Sequence, residues 1–345
     1  MSTNATGRRT IVYVANADSH DISVLALDAA SGALDEVERF AAGGTVMPLA
    51  ARRDGRMLYA SIRSEPVRVA SLAIDPASGR LTAVGSAPLP ASMCWISLDH
   101  GDRFLLSASY GASRVAVSPI GTDGVAGAAR QVVETAANAH SIQVDPSNRF
   151  AFAACLGGAV VRQMRFDAAL GALADNEPLV WNARADAGPR HFVFHPRLPI
   201  VYLLNELDAS LDVLAFDRER GTLQSGQVVS ALPPGFAGGA PWAADLHLTP
   251  DGRFLYASER RSSTLATFAV DPASGALASL GSTPTETEPR GFAITPDGRF
   301  LIAVGQASHR LSRYAIDAQS GALAKLGDQA VGQNPNWVEI VELAQ

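Results

Sequence analysis

Pro250-Asp251-Gly252-Arg253-Phe254-Leu255-Tyr256 and Pro296-Asp297-Gly298-Arg299-Phe300-Leu301-Ile302 are two copies of one phrase in a chain of 345 residues. Weaker copies are Arg53-Asp54-Gly55-Arg56-Met57-Leu58-Tyr59, Asp102-Arg103-Phe104-Leu105-Leu106 and Pro146-Ser147-Asn148-Arg149-Phe150-Ala151-Phe152. A degenerate copy runs Pro196-Arg197-Leu198-Pro199-Ile200-Val201-Tyr202, and Thr10-Ile11-Val12-Tyr13 supplies a seventh. Their last residues stand at 13, 59, 106, 152, 202, 256 and 302, with spacings of 46, 47, 46, 50, 54 and 46. Each copy is a turn followed by a short apolar run, which reads as a tight turn entering a strand.

A second alternating run follows each copy, such as Leu211 to Asp217 and Leu265 to Asp271. It ends in a turn of the form Asp-Pro-x-Ser-Gly-x-Leu at Asp75 to Leu81 and Asp271 to Leu277. Versions without the proline occur at Asp28 to Leu34 and Asp317 to Leu323. No long stretch has helical periodicity. Short strands and hairpins repeating every ~40–50 residues are the signature of a propeller built from four-stranded blades. The chain is therefore expected to be all-β, a single seven-bladed β-propeller domain over residues 1–345, with residues 1–9 as a flexible N-terminus. The copy at Tyr13 lacks the strand that precedes the others, whereas Asn336-Trp337-Val338-Glu339-Ile340 has that register. The C-terminal strand is expected to complete the first blade and close the ring, leaving no open sheet edge.

Composition limits the functions available. With 47% hydrophobic and 18% charged residues, the chain can bury a sizeable core. A net charge of −6 argues against nucleic acid or an anionic membrane as partner, since both need a basic face. Two cysteines, Cys94 and Cys155, are too few for a disulfide framework or a thiolate zinc site. No secretory signal and no apolar run of membrane-spanning length is visible, so a cytoplasmic monomer or weak homodimer is expected.

The repeat also points to a site. Six residues before the turn proline the blades read Met47, Cys94, His140, Arg190, Ala244, Arg290 and Asn336, and one residue later Pro48, Trp95, Ser141, His191, Asp245, Gly291 and Trp337. Four residues after the anchor they read Ala17, Arg63, Tyr110, Leu156, Glu206, Arg260 and Gln306. In antiparallel neighbours the first strand begins where the second ends, so both rows are expected at one end of the central channel. Structural repeats do not require titratable residues there. Several arginines suggest an anionic ligand held by bidentate hydrogen bonds. His140 and Glu206 suggest proton transfer or activation of water. His191 and His247 also fit hydrogen-bonded core positions, Asp245 also fits a residue that orients an arginine, and Arg290 also fits an ion pair with Glu286 or Glu288. A metal is not expected among so many cationic side chains, and no cofactor is expected.

Three segments resemble the lactonase family of seven-bladed propellers: Ala187-Gly188-Pro189-Arg190-His191-Phe192-Val193-Phe194-His195-Pro196 with Asn205-Glu206, Trp242-Ala243-Ala244-Asp245-Leu246-His247-Leu248, and Gly332-Gln333-Asn334-Pro335-Asn336-Trp337. Pro289-Arg290-Gly291-Phe292 and Gly305-Gln306 belong to the same likeness, which covers essentially the whole chain. The nearest branch it implies is the bacterial 6-phosphogluconolactonases, with hydrolysis of 6-phospho-D-glucono-1,5-lactone as the activity and a small anionic sugar lactone as the partner. The fungal carboxymuconate lactonizing branch implies a catalytic set of one His, one Glu and two Arg. By motif these fall on His140, Glu206, Arg190 and Arg260. Substrate binding is then expected at His191, Asp245, His247, Arg290, Arg63 and Gln306. Alternatives are a hydrolase of another aldonolactone, a cycloisomerase, and a non-catalytic interaction propeller.

Overall fold

The computed structural model describes residues 9–343; the N-terminus expected to be flexible lies, apart from Arg9, outside them. Among the described residues there are twenty-eight strands and no helix. The strands form seven four-stranded antiparallel sheets. Blades 2 to 7 are continuous in sequence, over 46–88, 95–134, 139–182, 189–230, 243–284 and 289–330. Blade 1 is composite: Thr10–Asn16 pairs with Asp21–Leu27 on one edge and with Pro335–Glu342 on the other. The C-terminal strand therefore closes the ring as the sequence implies. Pro335–Glu342 packs against the first strands of blades 2 and 7, Val46–Ala51 and Pro289–Ile294, so the seven innermost strands circle a central channel.

The repeated phrase owes its composition to the seams between blades. The arginine of the phrase lies over the phenylalanine that follows it, as for Arg253 on Phe254, at 5.3 Å, and Arg299 on Phe300, at 5.2 Å. Its guanidinium then reaches the outer turn of the next blade: Arg253 Nη1 donates to Ala318 O at 2.8 Å and Arg149 Nη2 to Arg218 O at 2.7 Å. The anchor tyrosine does the same from inside. Tyr13, Tyr59, Tyr202 and Tyr256 donate to the carbonyls of Gly79, Gly124, Gly275 and Gly321 at 2.7–2.8 Å.

The turn that receives these groups is built by one aspartate. Asp271 Oδ1 accepts from Ala273 N, Ser274 N and Ser274 Oγ at 2.7–3.1 Å, and Asp28, Asp75 and Asp317 repeat the pattern. Each turn ends on a glycine with positive φ, +72° at Gly321, against which an apolar side chain of the preceding blade is pressed, Phe300 on Gly32 and Phe254 on Gly321, Ile11 on Gly79 and Ile200 on Gly275. A Cβ on Gly321 would stand 2.4 Å from Phe254 Cδ1. Backbone strain and steric conflict therefore coincide at this position. Gly321→Ala is expected to destabilise the fold by roughly 2–4 kcal/mol. Gly111→Ala, with nothing within 4 Å of the added carbon, should stay within about 0.5 kcal/mol. Urea midpoints of the two variants check this; equal midpoints would remove the seam from the account.

Candidate functional site

Arg190, Arg290, Glu206, Arg260 and Gln306 from the two rows gather at one end of the channel, whereas Trp95, His191, Asp245 and Trp337 face a cavity deeper along it, and a backbone irregularity directs several of them. His140, Arg190, Arg290 and Asn336 each lie where the pairing of the innermost strand with its neighbour slips by one residue. In blade 5, for example, Pro189 faces Asn205 and His191 faces Leu204, leaving Arg190 without an opposite residue. A β-bulge of this kind breaks the alternation of the strand and re-aims the extra side chain. Glu206, Arg260, Gln306 and Arg63 immediately follow the second strands of their blades, Ile200–Asn205, Phe254–Glu259, Phe300–Gly305 and Met57–Ile62.

Glu206 is the centre of the cluster. Its Oε2 accepts from Arg190 Nε at 2.6 Å and lies 3.0 Å from Arg260 Nη2, while Oε1 accepts from the Trp242 indole N–H at 3.2 Å. Burial opposes ionisation of this carboxyl, but Arg190 and then Arg260 outweigh it and hold its pKa below the ordinary value. Arg260 lies over the Trp242 ring at 3.7 Å and also donates to the carbonyls of Trp242 and Ala243, both at 3.1 Å. Arg190, 1% exposed, donates to Ala244 O. Arg190 Nη2 and Arg260 Nη1 have no hydrogen-bond partner among the described residues.

Beneath Arg190 lies the ring of His191. Arg190 Nη1 is 3.1 Å from its Nε2 and 3.3 Å from its Nδ1, a near-equality that puts the cation over the imidazole face. Burial and that cation push the His191 pKa down to about 3, so the ring is neutral. His191 donates from Nδ1 to Asp245 Oδ1 at 2.8 Å. Asp245 also accepts from His247 Nε2 at 3.2 Å and from the backbone N–H of Leu246 at 3.0 Å. Burial acts to raise the Asp245 pKa, but His247 and His191 hold it far below the usual carboxylate range.

His140 adjoins the same layer, its ring 5.1 Å from His191 and 5.9 Å from Tyr110. Its Nδ1 is sealed from solvent and has no hydrogen-bond partner. Burial, then Arg190, lower its pKa well below the imidazole value. His140, Arg190, Glu206 and Arg260 are thus joined by direct contacts, with His191 linking His140 to Arg190. Arg290, Arg260, Trp242, Gln306 and Asn334 line a cavity of ≈330 Å³ at the mouth, with Asp18 and Glu288 also on its wall. Arg63 is on the exposed rim, its Nε donating to Ser92 Oγ at 2.6 Å.

His247 belongs to a different space. Trp95, Trp337 and His191 form an aromatic layer across the channel, with ring centroids 4.6–6.2 Å apart. A second cavity of ≈310 Å³ is lined by this layer together with His247, Gln143 and Glu339, and by Arg53 and Asp102 from the turns between first and second strands, at the far end of the channel. Glu339, whose pKa burial raises to about 7, and Trp242 are among the polar residues that the sequence reading leaves out. Glu339 stands two residues beyond Trp337 on the same strand, and Trp242 immediately precedes a first strand, so both positions were open to the same counting. Among the described residues no group of three His, Cys, Asp or Glu is placed to hold a metal ion, and both cysteines are buried and free.

Comparison with known proteins bears on this arrangement. The chain is 42% identical to the 6-phosphogluconolactonase of Pectobacterium carotovorum, across 96% of this chain and 99% of that protein. It is 39% identical to the 6-phosphogluconolactonase of Klebsiella pneumoniae, across 95% and 98%. The structure superposes on the periplasmic gluconolactonase PpgL of Pseudomonas aeruginosa with a TM-score of 0.90 and 30% identity, covering 97% of this chain and 99% of that one. The family model described as lactonase, 7-bladed beta-propeller, matches residues 9–340. Since that match spans all seven blades and the mouth they enclose, this chain belongs to the seven-bladed β-propeller lactonase family.

Proposed function

We propose that this chain hydrolyses 6-phospho-D-glucono-1,5-lactone to 6-phosphogluconate at the mouth built around Glu206. The observation that carries this reading is a half-buried carboxylate gripped by two arginines, each with one η-nitrogen free, beside a neutral histidine. The names carried by its relatives support the substrate class.

Opening a lactone needs a nucleophilic water, stabilisation of the oxyanion and a proton for the departing ring oxygen. Glu206 is poorly suited as base, because its lone pairs are engaged by Arg190, Arg260 and Trp242. His140 is the base. It takes a proton from water as the water oxygen bonds to C1, and the carbonyl electrons move onto oxygen. Arg190 Nη2 and Arg260 Nη1 donate to that oxyanion, while Glu206 keeps the two guanidinium groups together. Collapse breaks the bond from C1 to the ring oxygen, which receives the proton from His140. One water is consumed and the open hydroxy acid leaves.

His140→Ala is expected to lower kcat on 6-phosphogluconolactone by ~10²–10⁴, measured by pH-stat with spontaneous opening subtracted; an undiminished rate would refute the role of His140. The pH dependence has a definite sign. A base must be unprotonated, and burial with Arg190 lowers the His140 pKa below its ordinary 6.5. The acid limb of kcat/KM should therefore fall well below pH 6.5. A limb at or above that pH would exclude His140 in this environment.

A further inference from the structure

The arginines at the mouth divide into two kinds. Arg190 and Arg260 share the negative charge of Glu206. Arg290 has neither a salt-bridge partner nor a side-chain hydrogen-bond partner among the described residues, although it lines the same cavity as Arg260. Asp18 and Glu288 lie on that wall, but neither makes an ion pair with it; Asp18 instead accepts from Asn334 at 3.2 Å. Arg63 has Ser92 Oγ at 2.6 Å and Met47 Sδ at 3.6 Å and no carboxylate partner. Cys94, the thiol whose ionisation both arginines would favour, is buried, and burial raises its pKa. It therefore does not neutralise them.

Arg290 is half-buried, and a cation partly withdrawn from water without a counter-charge is costly unless something supplies one. Crowding has lowered the Arg290 pKa to about 10, with burial and then Arg190 as the causes. The structure has the room as well as the charge. Blade 1, between blades 7 and 2, contributes only Ala17 to the rim row, while its inner row carries Asn336, whose buried Oδ1 lacks a partner.

We propose that Arg290, supported by Arg63, is the subsite for the phosphate monoester dianion at the far end of the substrate, and that it sets the preference for phosphorylated over unphosphorylated lactone. This rests on the lactonase reading above. Arg190 and Arg260, already committed to Glu206, serve the reacting end, and the anionic tail lies towards blades 7, 1 and 2. A planar guanidinium suits a phosphate with two parallel hydrogen bonds.

The test is the ratio of kcat/KM for 6-phosphogluconolactone to that for glucono-1,5-lactone, in wild type, Arg290→Gln, Arg290→Lys and Arg63→Gln, with binding of inorganic phosphate measured calorimetrically in parallel. Wild type should favour the phosphorylated lactone. Arg290→Gln should reduce the ratio about 30-fold or more, through KM for the phosphorylated substrate, and abolish saturable phosphate binding. Arg290→Lys should restore part of both, and Arg63→Gln should lower the ratio less. An equal loss on both lactones, or an unchanged ratio, would overturn the assignment, as would a wild type without preference. If wild type opens neither lactone, the lactonase reading falls. The anion subsite is then decided by the calorimetry alone: phosphate binding lost in Arg290→Gln supports it, and no binding by wild type overturns it.

Discussion

Nothing in this molecule is held by one central core. The apolar side chains form separate clusters, most of them spanning two adjacent blades, and the axis itself is a channel. The constraint on which everything else rests is therefore the seam, where a tyrosine hydroxyl and an arginine of one blade satisfy carbonyls in the outer turn of the next. A repeat protein whose units contact only their neighbours must fix each relative orientation locally. That fixation matters at the mouth, because Arg190, Glu206, Asp245 and Arg260 come from two adjacent blades, while Arg290 and His140 come from the blades flanking them.

The mouth uses the regularity of the ring and then departs from it. Slipped pairing at the start of several innermost strands turns His140, Arg190 and Arg290 out of the alternation that would otherwise serve packing alone. A chain with net charge −6 thus concentrates cations at one small opening. The arrangement is tolerable because Glu206 offsets one of the two charges of Arg190 and Arg260 and because His140 and His191 remain neutral in their field. Low polarity makes each of these interactions stronger than it would be in water.

The fold was almost entirely legible in the sequence, because spacing, turn chemistry and the missing first strand at Tyr13 are all one-dimensional signals. The two rows of site positions were legible for the same reason. What counting along the chain does not convey is which partners meet across a seam. Asp245 and His191 are 54 residues apart, yet share a 2.8 Å hydrogen bond. Their placement beneath Arg190, the exit of His247 into the far cavity, and the unequal partnering of Arg190, Arg260 and Arg290 all depend on such contacts. Trp242 escaped notice because it stands two residues before the first of the counted rows, at Ala244. The slipped pairings escaped because a bulge changes where a side chain points without changing which residue is present.

Closure of blade 1 by residues 335–342 has a consequence for biosynthesis. As the polypeptide emerges, blades 2 to 7 complete themselves in order, each from one contiguous stretch. The first blade waits with three strands and an exposed inner edge until the last has been translated. The wall between Arg290 and Arg63 is then the final part of the enclosure to form. A truncated product lacking that strand would retain most of the side chains at the mouth yet present an adhesive edge to its neighbours, a natural point of engagement for chaperones.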